Sequence, residues 1–165
     1  MSKIVIQDID GTLANINHRI HHIKPLPGPG STGDEKKNWS AFFYAAKDDA
    51  VYEHVKHMGA LLKEQGNAIV LITGRPENLR ADTIGWLTKN DIVFDELLMR
   101  PATERKPDYE VKRDLLLDYL NKEGKSLSDV KMVFEDRLPV AKMWHDLGLP
   151  VLVCGSEWIS SDWGD

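Results

Sequence analysis

Asp8 and Asp10 stand two residues apart, followed at once by Gly11 and Thr12. On an extended chain, side chains at i and i+2 share a side. Two carboxylates held ~4 Å apart repel by about 4 kcal/mol at an effective dielectric near 20. A proton or a cation must relieve that repulsion. Thr73-Gly74-Arg75 and Glu135-Asp136-Arg137 have a related character: each follows an apolar run of strand length, as Asp8 does after Ile4-Val5-Ile6. Ligands of open α/β sheets bind beyond the carboxyl ends of the strands, so the three clusters point to one rim.

Oxygen donors of this kind suit Mg²⁺. A carboxylate attacks an anionic phosphoryl group poorly because like charges meet, and a divalent cation between them removes that obstacle. The pattern therefore reads as phosphomonoester hydrolysis, a reaction that is extremely slow without help. Asp8 is the expected nucleophile, giving an aspartyl-phosphate. Asp10 is expected to protonate the leaving oxygen and then deprotonate water, with its backbone carbonyl toward the metal. Asp136 and Glu135 complete the acidic metal site with Asp8 and Asp10. Thr73 and the Gly74 N–H are expected to hold phosphoryl oxygens. A lysine is wanted to balance the acids; Lys112 is the first choice and Lys106 the runner-up.

Residues 3–8, 68–72, 94–99, 130–134 and 151–153 read as short apolar strands that would carry these groups. Helices are expected from about 50 to 65, from Pro76, from Pro107-Asp108 and over Val140 to Leu147. Their inner faces are Leu79, Thr83, Trp86 and Leu87 in the second, and Val111, Leu115 and Tyr119 in the third. A helix opening at Pro76 would set an anion-friendly N-terminus beside Thr73. The alternation predicts an α/β fold, a mostly parallel sheet with helices on both faces. Residues of about 14–50 break the rhythm and read as an insertion over one edge of the sheet. A helix near Asn38 is expected there, with Trp39, Phe42 and Phe43 anchoring the insert to the body.

The 165 residues suit a single domain, with a core of 1–13 and 51–155 around that insert. No run is long enough for a membrane span and the first residues lack a signal-peptide profile, so cytoplasmic residence and no membrane partner are expected. One cysteine, Cys154, excludes an internal disulfide and reads as a half-buried core thiol. The net charge of −5 argues against a long electrostatic grip on nucleic acid. It leaves room for binding a nucleic-acid end. Gly28 to Gly33 is glycine-rich but lacks the Lys-Ser/Thr ending of a phosphate loop, so no kinase activity is expected.

Asp8-Ile9-Asp10-Gly11-Thr12, Thr73-Gly74-Arg75, Lys112 and Glu135-Asp136 resemble, in order, the four motifs of haloacid-dehalogenase-type phosphohydrolases. Asp8 through Arg19, the Glu110-Val111-Lys112 helix, Glu135-Asp136-Arg137 and Met143-Trp144 with Gly148 look more closely like the 3′-phosphatase domains of bacteriophage polynucleotide kinases. That resemblance implies a Rossmann-like sheet with a small cap and Mg²⁺ as cofactor. It also implies phosphate-binding roles for Arg19 and Arg75, and places Asp108 one helical turn before the motif lysine. The phage domains carry two adjacent aspartates where this chain has Glu135-Asp136, and this chain's insert is longer.

Duller readings stand beside these. Asp108 and Lys112, at i and i+4, would make a helix-surface pair worth roughly 0.3–0.5 kcal/mol. Arg137 is either a partner of the acids or a surface charge. His18, His21 and His22 have metal-like spacing but no cysteines, and read as a solvated loop. Trp39, Phe42 and Phe43 are either an anchor or a stacking platform for a base. Three functions follow: a Mg²⁺-dependent phosphatase of 3′-phosphorylated nucleic-acid ends or nucleotides, a phosphatase of free nucleoside monophosphates or another small metabolite, and a non-catalytic phospho-acceptor module.

Overall fold

A computed structural model describes residues 2–24 and 37–155. The glycine-rich stretch at 28–33, Trp158 and Trp163 lie outside the described residues. Strand β1 (Ile4–Gln7) leads into a two-residue strand β2 (Ala14–Asn15), which pairs antiparallel with β3 (Ala50–Val51). Four more strands, β4 (Ala68–Pro76), β5 (Glu96–Arg100), β6 (Val130–Glu135) and β7 (Val151–Val153), join β1 in one parallel sheet. The order is β5-β4-β1-β6-β7. The chain crosses from β1 to one side and later returns to the other, so β1 lies at the switch point where such sheets bind ligands.

The sheet is buried on both faces because its residues alternate between two cores. Val5, Ile69 and Leu71 pack with Val55 and Leu62 of α2 (Glu53–Glu64) and with Trp86 and Leu87 of α3 (Arg80–Lys89). Ile4, Ile6, Val70 and Ile72 face Leu116 and Leu120 of α4 (Asp108–Lys122) and Val140 and Trp144 of α5 (Leu138–Asp146). This is the α/β architecture expected, with both faces covered.

Two expectations are corrected. No helix opens at Pro76: β4 runs on to that residue, with an irregular register between Thr73 and Pro76. A proline disfavours helical backbone in the residue before it, so Arg75 stays extended. A 3-10 turn over Glu77–Leu79 follows, and α3 begins only at Arg80, so no α-helix N-terminus opens at Pro76. On α4 the buried positions are Val111, Lys112, Leu116 and Leu120, while Leu115 and Tyr119 are half-buried. The helix is rotated so that Lys112 points inward, where three acids meet it.

The insert between β2 and β3 is the small cap, and its described residues are mainly helical. It holds a 3-10 turn (Ile20–His22), α1 (Trp39–Tyr44) and a second 3-10 turn (Ala45–Asp48). Asn38 caps α1 by accepting the Ala41 N–H at 3.0 Å. Of the three aromatics expected to anchor the insert, only Phe42 is buried; Trp39 is 46% exposed and Phe43 half-buried. The other anchor is polar, a salt-bridge network built on Asp49 at the end of the second 3-10 turn.

Candidate active site

The chain leaves β1 with Asp8, whose N–H still bonds the Phe134 carbonyl at 3.0 Å, and then turns sharply. The Ile9 carbonyl accepts the N–H groups of Thr12, Leu13 and Ala14. Gly11 has φ +90°, which glycine adopts freely, and a side chain there would strike the Asp136 carboxylate. The glycine after the two aspartates thus lets the β1 and β6 loops close on each other. Thr12 Oγ1 donates toward Asp8 Oδ2 (3.3 Å) and Asp136 Oδ1 (3.4 Å).

Asp8, Glu135 and Asp136 bring carboxylate oxygens within 4.8 Å of one another, and they form the one such cluster among the described residues. Lys112 enters from α4: its Nζ donates to Asp8 Oδ1 (2.8 Å) and Glu135 Oε2 (2.9 Å), and lies 3.6 Å from Asp108. Lys106 stays on the exposed side with Asp114 and Glu104. The pairing of Asp108 with Lys112 is therefore one edge of a buried network and not a surface pair. Burial, only partly offset by Lys112, and the charge of Glu135 push Asp8 up to about 7. Burial and the charges of Asp8 and Glu135 hold Asp136 well above the usual carboxylate range. Burial alone would lower Lys112, but Asp8, Glu135 and Asp108 outweigh it and keep it firmly charged. One ammonium cannot neutralise three carboxylates. The all-oxygen donor set and its unrelieved repulsion fit a divalent cation. Glu135 is the most committed of the three: its other oxygen accepts the N–H groups of Asp136 and Arg137 at 3.2 Å each.

Asp10 faces different neighbours. Arg19 Nη2 (2.5 Å) and Arg75 Nη2 (2.6 Å) both reach its Oδ1. Burial would raise Asp10, but the two guanidiniums prevail and hold it far below the usual range. Both arginines are buried and both also meet Asp49. The Thr73 hydroxyl accepts the Arg75 N–H at 3.2 Å. A side chain at Gly74 would strike Asp108, so the second glycine of the motifs also serves close approach. Asp108 collects Arg100 (3.1 Å) and the half-exposed Arg137 (3.3 Å), which makes Arg137 a partner of that acid. His18 binds Asp49 at 2.8 Å, and the rings of His21 and His22 lie tilted by 42° with centroids 4.0 Å apart; the trio forms no ligand cluster. Burial and the nearby carboxylates of Asp136, Glu135 and Asp8 push the Cys154 thiol up to about 12, which suits no nucleophile.

Asp49 and Arg100 were not singled out from the sequence. No local motif marks either residue. A charge argument would have found the first: two buried arginines beside one aspartate require a second counter-charge.

A sheet whose central strand ends in Asp-x-Asp-Gly-Thr, with a motif lysine and a late acidic pair at the same rim, defines a haloacid-dehalogenase-type phosphohydrolase, a phosphoric monoester hydrolase. The fold recurs in a hydrolase from Streptococcus pneumoniae TIGR4, which superposes with a TM-score of 0.59 at 17% identity over 95% of each chain. More specifically, residues 35–156 match the polynucleotide kinase PNKP phosphatase domain, and the chain belongs to that family. A polynucleotide kinase/RNA ligase homologue of Autographa californica nuclear polyhedrosis virus is 30% identical over 151 residues, covering 91% of this chain and 19% of the viral protein. A chain of the Pnkp1/Rnl/Hen1 RNA repair complex is 28% identical with a TM-score of 0.70, covering 93% of this chain and 43% of that one. This chain thus spans less than half the length of either relative. Membership removes the phospho-acceptor module from the three readings. No described helix is long and apolar enough to cross a membrane.

Proposed function

We propose that this chain is a Mg²⁺-dependent phosphatase that removes 3′-phosphates from nucleic-acid ends or nucleotides through an aspartyl-phosphate on Asp8. The observation that carries the proposal is the cluster of Asp8, Glu135 and the half-buried Asp136 at the end of β1, with Lys112 bridging the first two. Asp8 and Asp136 would hold Mg²⁺, with the Asp10 backbone carbonyl as a third donor, while Glu135 fixes Lys112. Bound Mg²⁺ supplies the positive charge that lets a carboxylate approach a phosphate.

The chain's own groups do the rest. Asp8 attacks phosphorus, and the bond from phosphorus to the ester oxygen breaks. Asp10, ionised in the free site, takes up a proton as the negative charge of the incoming ester raises it, gives that proton to the leaving oxygen and later takes one from the water that cleaves the aspartyl-phosphate. Arg19 and Arg75, expected to grip the phosphate, are engaged by carboxylates here, so their main work is to hold Asp10 in place. Thr73, Gly74 and Lys112 are left to hold the phosphoryl oxygens. The nucleic-acid end is favoured by the family and by the relatives' own names, which speak of polynucleotide kinase and RNA repair.

The test offers purified protein and Mg²⁺ 3′- and 5′-phosphorylated oligonucleotides, nucleoside 3′- and 5′-monophosphates, and an aryl phosphate. Preferential release from 3′-ends supports the proposal. Preference for 5′-mononucleotides would replace it with a metabolite phosphatase, a reading that the acidic net charge favours. Asp10→Asn should slow alkyl esters most and aryl esters least, because only a poor leaving group needs the proton. Equal losses would refute its acid role.

A further inference from the structure

Asp49 is an aspartate with a fully enclosed side chain outside every motif named above. Its carboxylate takes Arg19 Nε (2.7 Å) and Nη2 (2.6 Å) on its two oxygens, and Arg75 Nη2 lies 3.5 Å away. Its backbone is pinned as well: the carbonyl accepts the indole N–H of Trp86 at 3.0 Å, and the N–H donates to Ala46. Trp86 is a core residue of α3, so Asp49 is tied to the body of the protein although it lies in the cap. Arg19 is further held by the Phe42 carbonyl (3.2 Å) and by the Phe42 ring, 4.0 Å from its guanidinium carbon. From that fixed base both arginines reach forward to the same oxygen of Asp10.

Two guanidiniums and Asp10 alone would leave a surplus positive charge in a buried place. Asp49 cancels it. A neutral, fully paired quartet exerts little pull on an incoming phosphate, but it fixes the angle of the Asp10 carboxylate through planar, two-pronged contacts. We infer that Asp49 is a positioning residue: by locking Arg19 and Arg75 from behind, it aims Asp10 at the leaving oxygen. The inference rests on the proposed role of Asp10 in proton transfer.

The experiment compares wild type and Asp49→Asn on a nucleoside 3′-monophosphate, whose leaving group is an alkoxide, and on p-nitrophenyl phosphate, whose leaving group needs no proton. The expected result is a kcat loss about 10- to 100-fold larger on the nucleotide than on the aryl ester, with each KM within about threefold of wild type. In an Asp10→Asn background the alkyl-selective loss should vanish, because Asp49 then has nothing to aim. Asp49→Glu keeps the charge and should recover part of the nucleotide kcat. A folded Asp49→Asn protein that loses equal kcat on both esters, or that loses only KM, overturns the inference. So does a failure of both Asp49 variants to fold, which would make the residue purely structural. Wild type inactive on both esters would sink the phosphatase reading itself, and an Asp10→Asn variant without leaving-group preference would sink the acid role; both are distinct from the outcomes above.

Discussion

Asp8 and Asp10 are two residues apart and both lie in the site, yet their surroundings drive them in opposite directions. Around Asp8, three carboxylates share one ammonium, and Asp8 and Asp136 are pushed toward their protonated forms. Around Asp10, two carboxylates meet two guanidiniums, and Asp10 is held ionised. Burial raises both; the local count of cations decides the sign. The first region is left short of positive charge and suits a dication. The second is complete in itself and suits a fixed, oriented carboxylate. Similar residue types thus make a binding site on one side and a brace on the other.

The sharpest way to break this comparison is to remove a group from the deficient side. Asp8→Asn should lower kcat on every phosphomonoester by at least about 10³-fold with the circular dichroism unchanged, since no other group can take its place as nucleophile. Substantial residual turnover would refute the assignment. Lys112→Met leaves Asp8 and Glu135 buried without a partner and should destabilise by about 3–5 kcal/mol in urea unfolding without metal. If Mg²⁺ takes over part of that compensation, the loss will be smaller with the metal present.

Metal addition separates the two sides more finely. Mg²⁺ at about 100 times its Kd should stabilise wild type by about 2.7 kcal/mol, roughly 5–10 °C in Tm. Asp136→Asn should lose most of that rise, whereas Arg19→Lys, on the complete side, should keep it despite a lower starting Tm. Equal responses would mean that the two regions do not divide the labour as described. Without metal, the pH dependence of Asp8 has a definite sign. Its carboxyl has an unfolded value of 3.8 and a folded value of about 7, so the folded state holds more protons between them. The stability that Asp8 contributes is present below pH 3.8 and lost as pH rises to about 7. The Tm of Asp8→Asn relative to wild type should therefore increase over that window; a flat difference would contradict the shift.

The smallest effect is expected at Trp39. Half-exposed and linked to the charge networks only through the edge of the Phe42 ring, Trp39→Ala should change stability by no more than about 0.5 kcal/mol and leave aryl phosphate turnover intact. Weaker binding of a 3′-phosphorylated oligonucleotide would revive the stacking platform; unchanged binding would retire it.

Local sequence determined the strands, most of the helices and the acids at their ends. An apolar run predicts its own strand and fixes the order of the residues that follow it, although Asp8 and Asp10 lie past the end of β1 and turn to different partners. The choice of Lys112 over Lys106, the continuation of β4 through Pro76, and the burial of Phe42 in place of Trp39 were decided only by tertiary structure. Asp49 shows the reason most clearly. It lies 30 residues from Arg19 and meets Arg75 from a different element, so no spacing reveals the contact. Charge pairing in a buried site is set by which distant elements converge, and that convergence follows from packing both faces of the sheet.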